Sequence, residues 1–175
     1  MHDKSSESRG PARAAGFTYI GLLIAIVVLG VALSAVGMVW RTHAQREREQ
    51  ELLFIGRQFE SAIASYYGSR AGGIRQLPQD INDLLEDRRW PEPKHHLRRL
   101  YVDPMTGAQD WTILRIGALG ITGIASSSQA VPLKKAGFPA GEEAFKDAEC
   151  YCDWKFEYIP RNVRRRINSV PPAAD

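Results

Sequence analysis

Gly16-Phe17-Thr18-Tyr19-Ile20-Gly21-Leu22-Leu23 joins a short polar leader to an uncharged segment that runs on to Trp40. The reading of this segment decides the fold. Its 24 residues, Phe17 to Trp40, would rise to roughly 36 Å as a helix, enough to cross a hydrocarbon core of about 30 Å with some tilt. Thirteen of them are Phe, Ile, Leu or Val. At a central position each favours insertion by about 0.3–0.6 kcal/mol, and no charged side chain opposes them. A cleaved secretory signal would need a shorter apolar core and a small-residue site behind it; Ala32-Leu33-Ser34 matches that feebly and no helix breaker follows. Lys4, Arg9 and Arg13 lie before the segment and Arg41, Arg46 and Arg48 after it, so positive charge alone leaves its orientation undecided.

Beyond Trp40 the helical pattern continues. Arg41 to Arg70 contains no proline, and Leu52, Ile55, Phe59, Ile63 and Tyr66 recur at three- and four-residue spacing. Arg48, Glu51, Arg57, Glu60 and Ser61 take the other faces, which predicts one long helix with an apolar stripe laid on a globular head. Ala71-Gly72-Gly73 ends it. Pro78 opens a short helix through Asp87, with Ile81, Leu84 and Leu85 on the buried side, and Pro91-Glu92-Pro93 stops it. Asp103-Pro104-Met105-Thr106-Gly107 is turn chemistry leading to a strand at Trp111-Thr112-Ile113-Leu114. A second strand is expected within Ile116 to Ser126, where Gly117, Gly120 and Gly123 point to close backbone packing, and a third within Trp154 to Ile159. Asp110-Trp111 and Asp153-Trp154 mark the first and third as neighbours. Ser127 to about Asp147 is a loop, and the basic, proline-rich end from Arg161 to Asp175 is expected to be exposed or disordered.

The Gly16-Phe17-Thr18 start with its apolar run resembles the processing signal of type IV prepilins and type II secretion pseudopilins. The likeness extends to Leu77-Pro78 and its short helix, and to Asp103-Pro104 with Gly107 and Trp111, which look like elements of the major pseudopilin. It implies an α+β, pilin-like fold in which a long N-terminal helix packs on a small antiparallel β-sheet head. It also implies the domain plan: leader 1–16, membrane-spanning and filament-core helix 17–40, periplasmic head 41–160 and flexible tail 161–175. By that resemblance a prepilin peptidase cuts after Gly16 and the new amino terminus, Phe17, is methylated. The subunit then sits in the cytoplasmic (inner) membrane with its N-terminus inside. Its partners are membrane lipid, other pilin or pseudopilin subunits and an inner-membrane assembly platform. Gly30 and Gly37 would allow close helix approach. The family's usual glutamate at the fifth mature position is replaced by Gly21. Such a carboxylate neutralises a neighbour's buried terminal amine, so its loss suits either a tip or initiating subunit or a divergent filament.

Other chemistry is sparse. Lys94-His95-His96-Leu97-Arg98-Arg99, with Arg88 and Arg89 upstream, is a basic patch read as a solvated loop or as a partner-binding surface of Lys94, Arg98 and Arg99; Arg161 and Arg164–Arg166 would extend it. Nucleic acid is not an expected partner at a formal net charge of +3, although a DNA-binding minor pilin stays as an alternative function. His95 and His96 diverge, so no zinc site forms from them. No metal or cofactor is expected, with calcium left open by resemblance because Glu142, Glu143, Asp147, Glu149 and Asp153 fall where major pseudopilins hold that ion. Cys150-Tyr151-Cys152 is too short to close a useful loop and reads as two packed thiols. Ser126, Ser127 and Ser128 lack a nucleophile elbow and a matching His and Asp pair, so the chain is read as no enzyme, with a signal-anchored periplasmic enzyme as the remaining alternative.

Overall fold

A computed structural model describes residues 15–169, with the side chains of 18–34 and 40–165. The expected leader, save its last two residues, lies outside them. The chain divides into two compact units that part between Ala44 and Gln45, and each is described by itself. One helix, α1 (Ala15–Gly68), contributes to both.

In the first unit the described apolar side chains of α1 face outward. Ile24, Val27, Leu29 and Val31 are all exposed, Val31 to 67 %. The hydroxyl of Ser34 turns back to donate to the Gly30 carbonyl at 2.9 Å, so this polar group is satisfied within its own helix. Among the described residues no helix is long and apolar enough to cross a membrane; the described side chains here stop at Ser34 and resume at Trp40, so the expected 17–40 span falls partly outside them.

The second unit is an α+β head. The stripe read from the sequence is its spine: Leu52, Ile55, Phe59, Ile63 and Tyr66 are buried, Phe59 and Ile63 completely. Helix α1 stops at Gly68, and Ala71–Gly73 form a 3₁₀ turn in which Gly72 and Gly73 take φ of 62° and 81°, a region open to glycine. The predicted short helix is a single 3₁₀ turn, Ile81–Leu84. Asp80 caps it by accepting from Asn82 N, while Asp83 accepts from the backbone of Asp80, a reciprocal box that satisfies the free donors of so short a turn.

Three strands follow: β1 (Thr112–Arg115), β2 (Ile121–Ala125) and β3 (Phe156–Glu157). They form one antiparallel sheet in the order β1-β2-β3, with Ile113 opposite Ile124 and Ile124 opposite Phe156. This corrects the expectation that the first and third strands are neighbours, because β2 lies between them. Gly123 explains the tight β2–β3 pairing: a Cβ there would stand 2.2 Å from the Phe156 carbonyl oxygen. Aromatic rings fill the space between helix and sheet. Phe59 meets Trp111 at 5.7 Å, and Phe145 stacks on Trp154 with Phe138, Phe156 and Tyr151 around them.

The segment from Arg161, expected to be exposed or disordered, is ordered as far as it is described, with its described side chains exposed apart from Val163. Arg161–Ser169 is a second helix, α2. It begins after Pro160, whose carbonyl accepts from Arg164 N, and it is tied down by buried Val163 and by the Tyr67 hydroxyl donating to Asn162 Oδ1 at 2.9 Å. Polar composition hid one apolar anchor and one side-chain bond, which suffice to hold a short helix against the head.

Candidate functional site

The Gly16–Phe17 junction falls in the first turn of α1, and the Phe17 side chain lies outside the described residues. Gly21 and Gly30 are open positions of the same helix, for a Cβ at either meets nothing within 4 Å. Gly37 is helical, with its surroundings outside the described residues. A helix whose outward face is Ile, Leu and Val, broken by glycines that expose backbone, can bury that surface against lipid or against other helices.

The head is locked to its stretch of α1 by polar contacts at two levels. At the first, the buried Glu49 carboxylate uses one oxygen to accept from Leu133 N at 2.6 Å, Lys134 N at 3.1 Å and the Tyr151 hydroxyl at 2.9 Å. Gln45 donates to the same hydroxyl at 2.8 Å. Burial pushes the Tyr151 phenol up to about 12; the Gln45 bond works against this and the Glu49 carboxylate adds to it. Two turns further on, Arg57 makes a two-pronged pair with Glu142, at 2.6 and 2.9 Å, and the carboxylate raises the guanidinium's pKa against the opposing effect of burial.

At the second level, near the end of α1, Asp87 is fully buried and accepts from Arg89 Nε and Nη2, both at 2.7 Å, and from Arg89 N at 3.1 Å. Arg89 also donates to the Tyr66 carbonyl and to Ser69, and its guanidinium lies 3.6 Å from the centre of the Tyr66 ring. Burial alone would raise the Asp87 pKa, but the hydrogen bonds from Arg89 and His96 outweigh it and hold the carboxyl at about 2. His96 joins Asp87 at 3.3 Å through Nε2 and Ser65 Oγ at 2.8 Å through Nδ1. Ser65, His96 and Asp87 thus stand in the order of a hydrolytic triad, yet Arg89 already pairs with the acid, and Ser65 sits within α1, where the backbone N–H groups are spent on helix hydrogen bonds. The three side chains tie the loop to the helix. Sequence reading missed this cluster because Asp87, Arg89 and His96 meet Ser65, Tyr66 and Ser69 from some way along the chain, and it counted Arg89 among free surface cations.

The remaining basic patch is exposed. Lys94 lies 3.6 Å from the centre of the Trp90 ring and Arg99 5.0 Å from that of Tyr101, so aromatic partners are present where the sequence suggested few. Arg88 pairs with Glu86. Arg161 and Arg165 line a different groove, with Arg75, that does not include Lys94, Arg98 or Arg99.

The Ser126 hydroxyl is buried and donates to Asp103 Oδ2 at 2.6 Å. It braces the Asp-Pro turn, whose Asp103 also accepts from Met105 N. The acidic residues considered for calcium are engaged separately: Glu142 with Arg57, Glu143 with Gly141 N, and Asp153 with the backbone of Glu149 and Cys150. Among the described residues the group of metal-capable donors that converges is Cys150, Cys152 and Asp153. Its two sulfurs are joined to each other, however, in a disulfide, and so offer no thiolate. This corrects the expectation of two thiols. On a strand the pair would stand near the upper limit of a bridge's reach, but Tyr151–Asp153 form a 3₁₀ turn, and the two Cα atoms lie 5.1 Å apart, well within the usual range.

Comparison with protein-family models, with curated proteins and with solved structures gives no match for this chain.

Proposed function

We propose that the chain is a pseudopilin-like structural subunit of a type II secretion or type IV pilus-like filament, made as a precursor and assembled through its N-terminal helix. The observation that carries this reading is the join of Gly16-Phe17-Thr18 to an apolar, outward-facing helix that runs on to Gly68, with its stretch from Leu52 to Tyr66 forming the spine of a small α+β head. A helix with that division of labour has two partners: lipid or neighbouring helices for residues 17–40, and its own head beyond Gln45. In this reading the peptidase removes residues 1–16, Phe17 becomes the methylated terminus, and the subunit waits in the inner membrane with its head in the periplasm. Assembly exchanges lipid contacts for helix contacts at surfaces opened by Gly30 and Gly37. The Cys150–Cys152 bridge supports an exported head, since disulfides persist in oxidising compartments.

The test is the amino terminus of the protein taken from its native cells, read by mass spectrometry. A chain beginning at methylated Phe17 is the expected result. An intact Met1, or cleavage near Ser34, overturns the reading.

A further inference from the structure

Between the end of α1 and α2 runs a groove of about 580 Å³, within the range of about 300–1,000 Å³ that small-ligand sites occupy. Three guanidinium-bearing residues, Arg75, Arg161 and Arg165, line it, and none of its lining residues is acidic. The nearest acid in sequence, Glu157, turns its carboxylate to the Thr122 hydroxyl on the sheet. Like charges repel when gathered in one cleft, and the same gathering favours a multivalent anion. The walls are aromatic: Tyr67 and Tyr158 lie 6.2 Å apart between ring centres, Arg75 sits 5.9 Å from the Tyr67 ring, and Asn162 is held by the Tyr67 hydroxyl. Tyr67 is buried and fixed in place, so one wall of the groove is formed before any ligand arrives.

We infer that this groove binds a phosphate-bearing anion, either a free phosphate ester or the headgroup of an acidic phospholipid. Planar guanidiniums present paired donors that match phosphate oxygens, and three of them can surround a group carrying two negative charges in a way that ammonium groups on longer stems do not. The site is independent of the filament reading and would stand if that reading fell.

The experiment is a calorimetric titration of the full-length chain, in an uncharged maltoside detergent, with inorganic pyrophosphate and separately with short-chain phosphatidic acid. Wild type is compared with Arg75→Gln and Arg165→Gln, and with Lys155→Gln as an exposed control outside the groove. Saturable binding is expected, weakened about tenfold or more by each arginine substitution, the scale of a lost hydrogen bond to a charged group, and unchanged by Lys155→Gln. Circular dichroism checks that α2 persists in each variant. Tighter binding of phosphatidic acid than of pyrophosphate assigns the headgroup as the source; equal or weaker binding assigns the free ester. Absence of binding to both probes, or affinity equally retained by the two arginine variants, overturns the proposal.

Discussion

The ring of Phe156 occupies the place where a side chain at Gly56 would begin. An ideal Cβ on Gly56 falls 2.3 Å from two atoms of that ring, so β3 is seated directly on the backbone of α1. A glycine in the interior of a helix costs about 1 kcal/mol against alanine, and here the cost is offset by the close approach of an aromatic ring. Gly56→Ala therefore gains helix propensity but overpacks the contact, typically by about 1–3 kcal/mol. A net loss is expected, lowering the melting temperature by several degrees, with Gly56→Leu worse. The second substitution Phe156→Leu should cost less in the Gly56→Ala background than alone. A thermal melt of Gly56→Ala at or above wild type would contradict the account.

Stability should fall in acid through Asp87. Its carboxyl titrates at about 2 in the folded chain against an ordinary value of 3.8, so between those limits the unfolded state binds more protons. The stabilisation is complete above about pH 5 and is lost as the pH falls through 3.8 towards 2, amounting to about 2 kcal/mol at most. Urea melts at pH 6 and pH 3 should show the gap between wild type and Asp87→Asn narrowing in acid. A gap that stays constant would exclude Asp87 as the source.

Glu49 holds the 131–134 segment through bonds to Leu133 N and Lys134 N. Glu49→Ala leaves two part-buried backbone donors and the buried Tyr151 hydroxyl without their acceptor, a loss of about 1–3 kcal/mol for the hydroxyl and less for the donors that water can reach. Faster amide exchange confined to residues 130–151 is expected, and Glu49→Gln, which keeps one carbonyl oxygen, should be milder. Uniform acceleration across the head would instead point to global unfolding.

The Cys150–Cys152 bridge should be visible chemically and minor energetically. Without reductant, no alkylation is expected in the unfolded chain; after reduction, both sulfurs should react. Because so few residues separate the sulfurs, Cys150→Ser with Cys152→Ser should cost no more than about 1.5 kcal/mol by loop entropy. A larger fall in thermal stability would mean that the bridge positions Tyr151 and Trp154 rather than merely closing a turn.

Gly21 offers a direct test of stacking. Its Cβ direction is open in the isolated chain, so Gly21→Glu introduces no internal clash. If the chain stacks beneath other subunits, the restored carboxylate should raise the share of protein recovered in filaments, measured by sedimentation and immunoblot. An unchanged yield would argue against a stacking role.

The spine of the head was legible because burial repeats every three to four residues from Leu52 to Tyr66, and because the Asp103-Pro104 turn and the β-branched run after Trp111 carry local chemistry. What escaped was set by contacts between distant residues. Gly56 looks like an ordinary helix position until Phe156 is placed upon it. Arg89 looks like a surface cation until Asp87, Tyr66 and Ser69 close around it. The strand order depends on Gly123, and α2 depends on Val163 finding the head, neither of which a local window reports. At the amino terminus the apolar run was plain from composition, whereas its partner is a property of other molecules.

Gln45 and Glu49 anchor one end of the head's helix segment, and the Ser65, Tyr66 and Ser69 contacts anchor the other, roughly 30 Å away along the axis. Apolar contacts between them tolerate small displacements, but the directional hydrogen bonds at both ends, and the Arg57–Glu142 pair between them, do not. A pull along the axis of this segment would meet these polar fastenings in shear, and slippage by a single helical turn would have to break them together. The head is thus built to resist axial sliding of its helix and to yield abruptly rather than by creep.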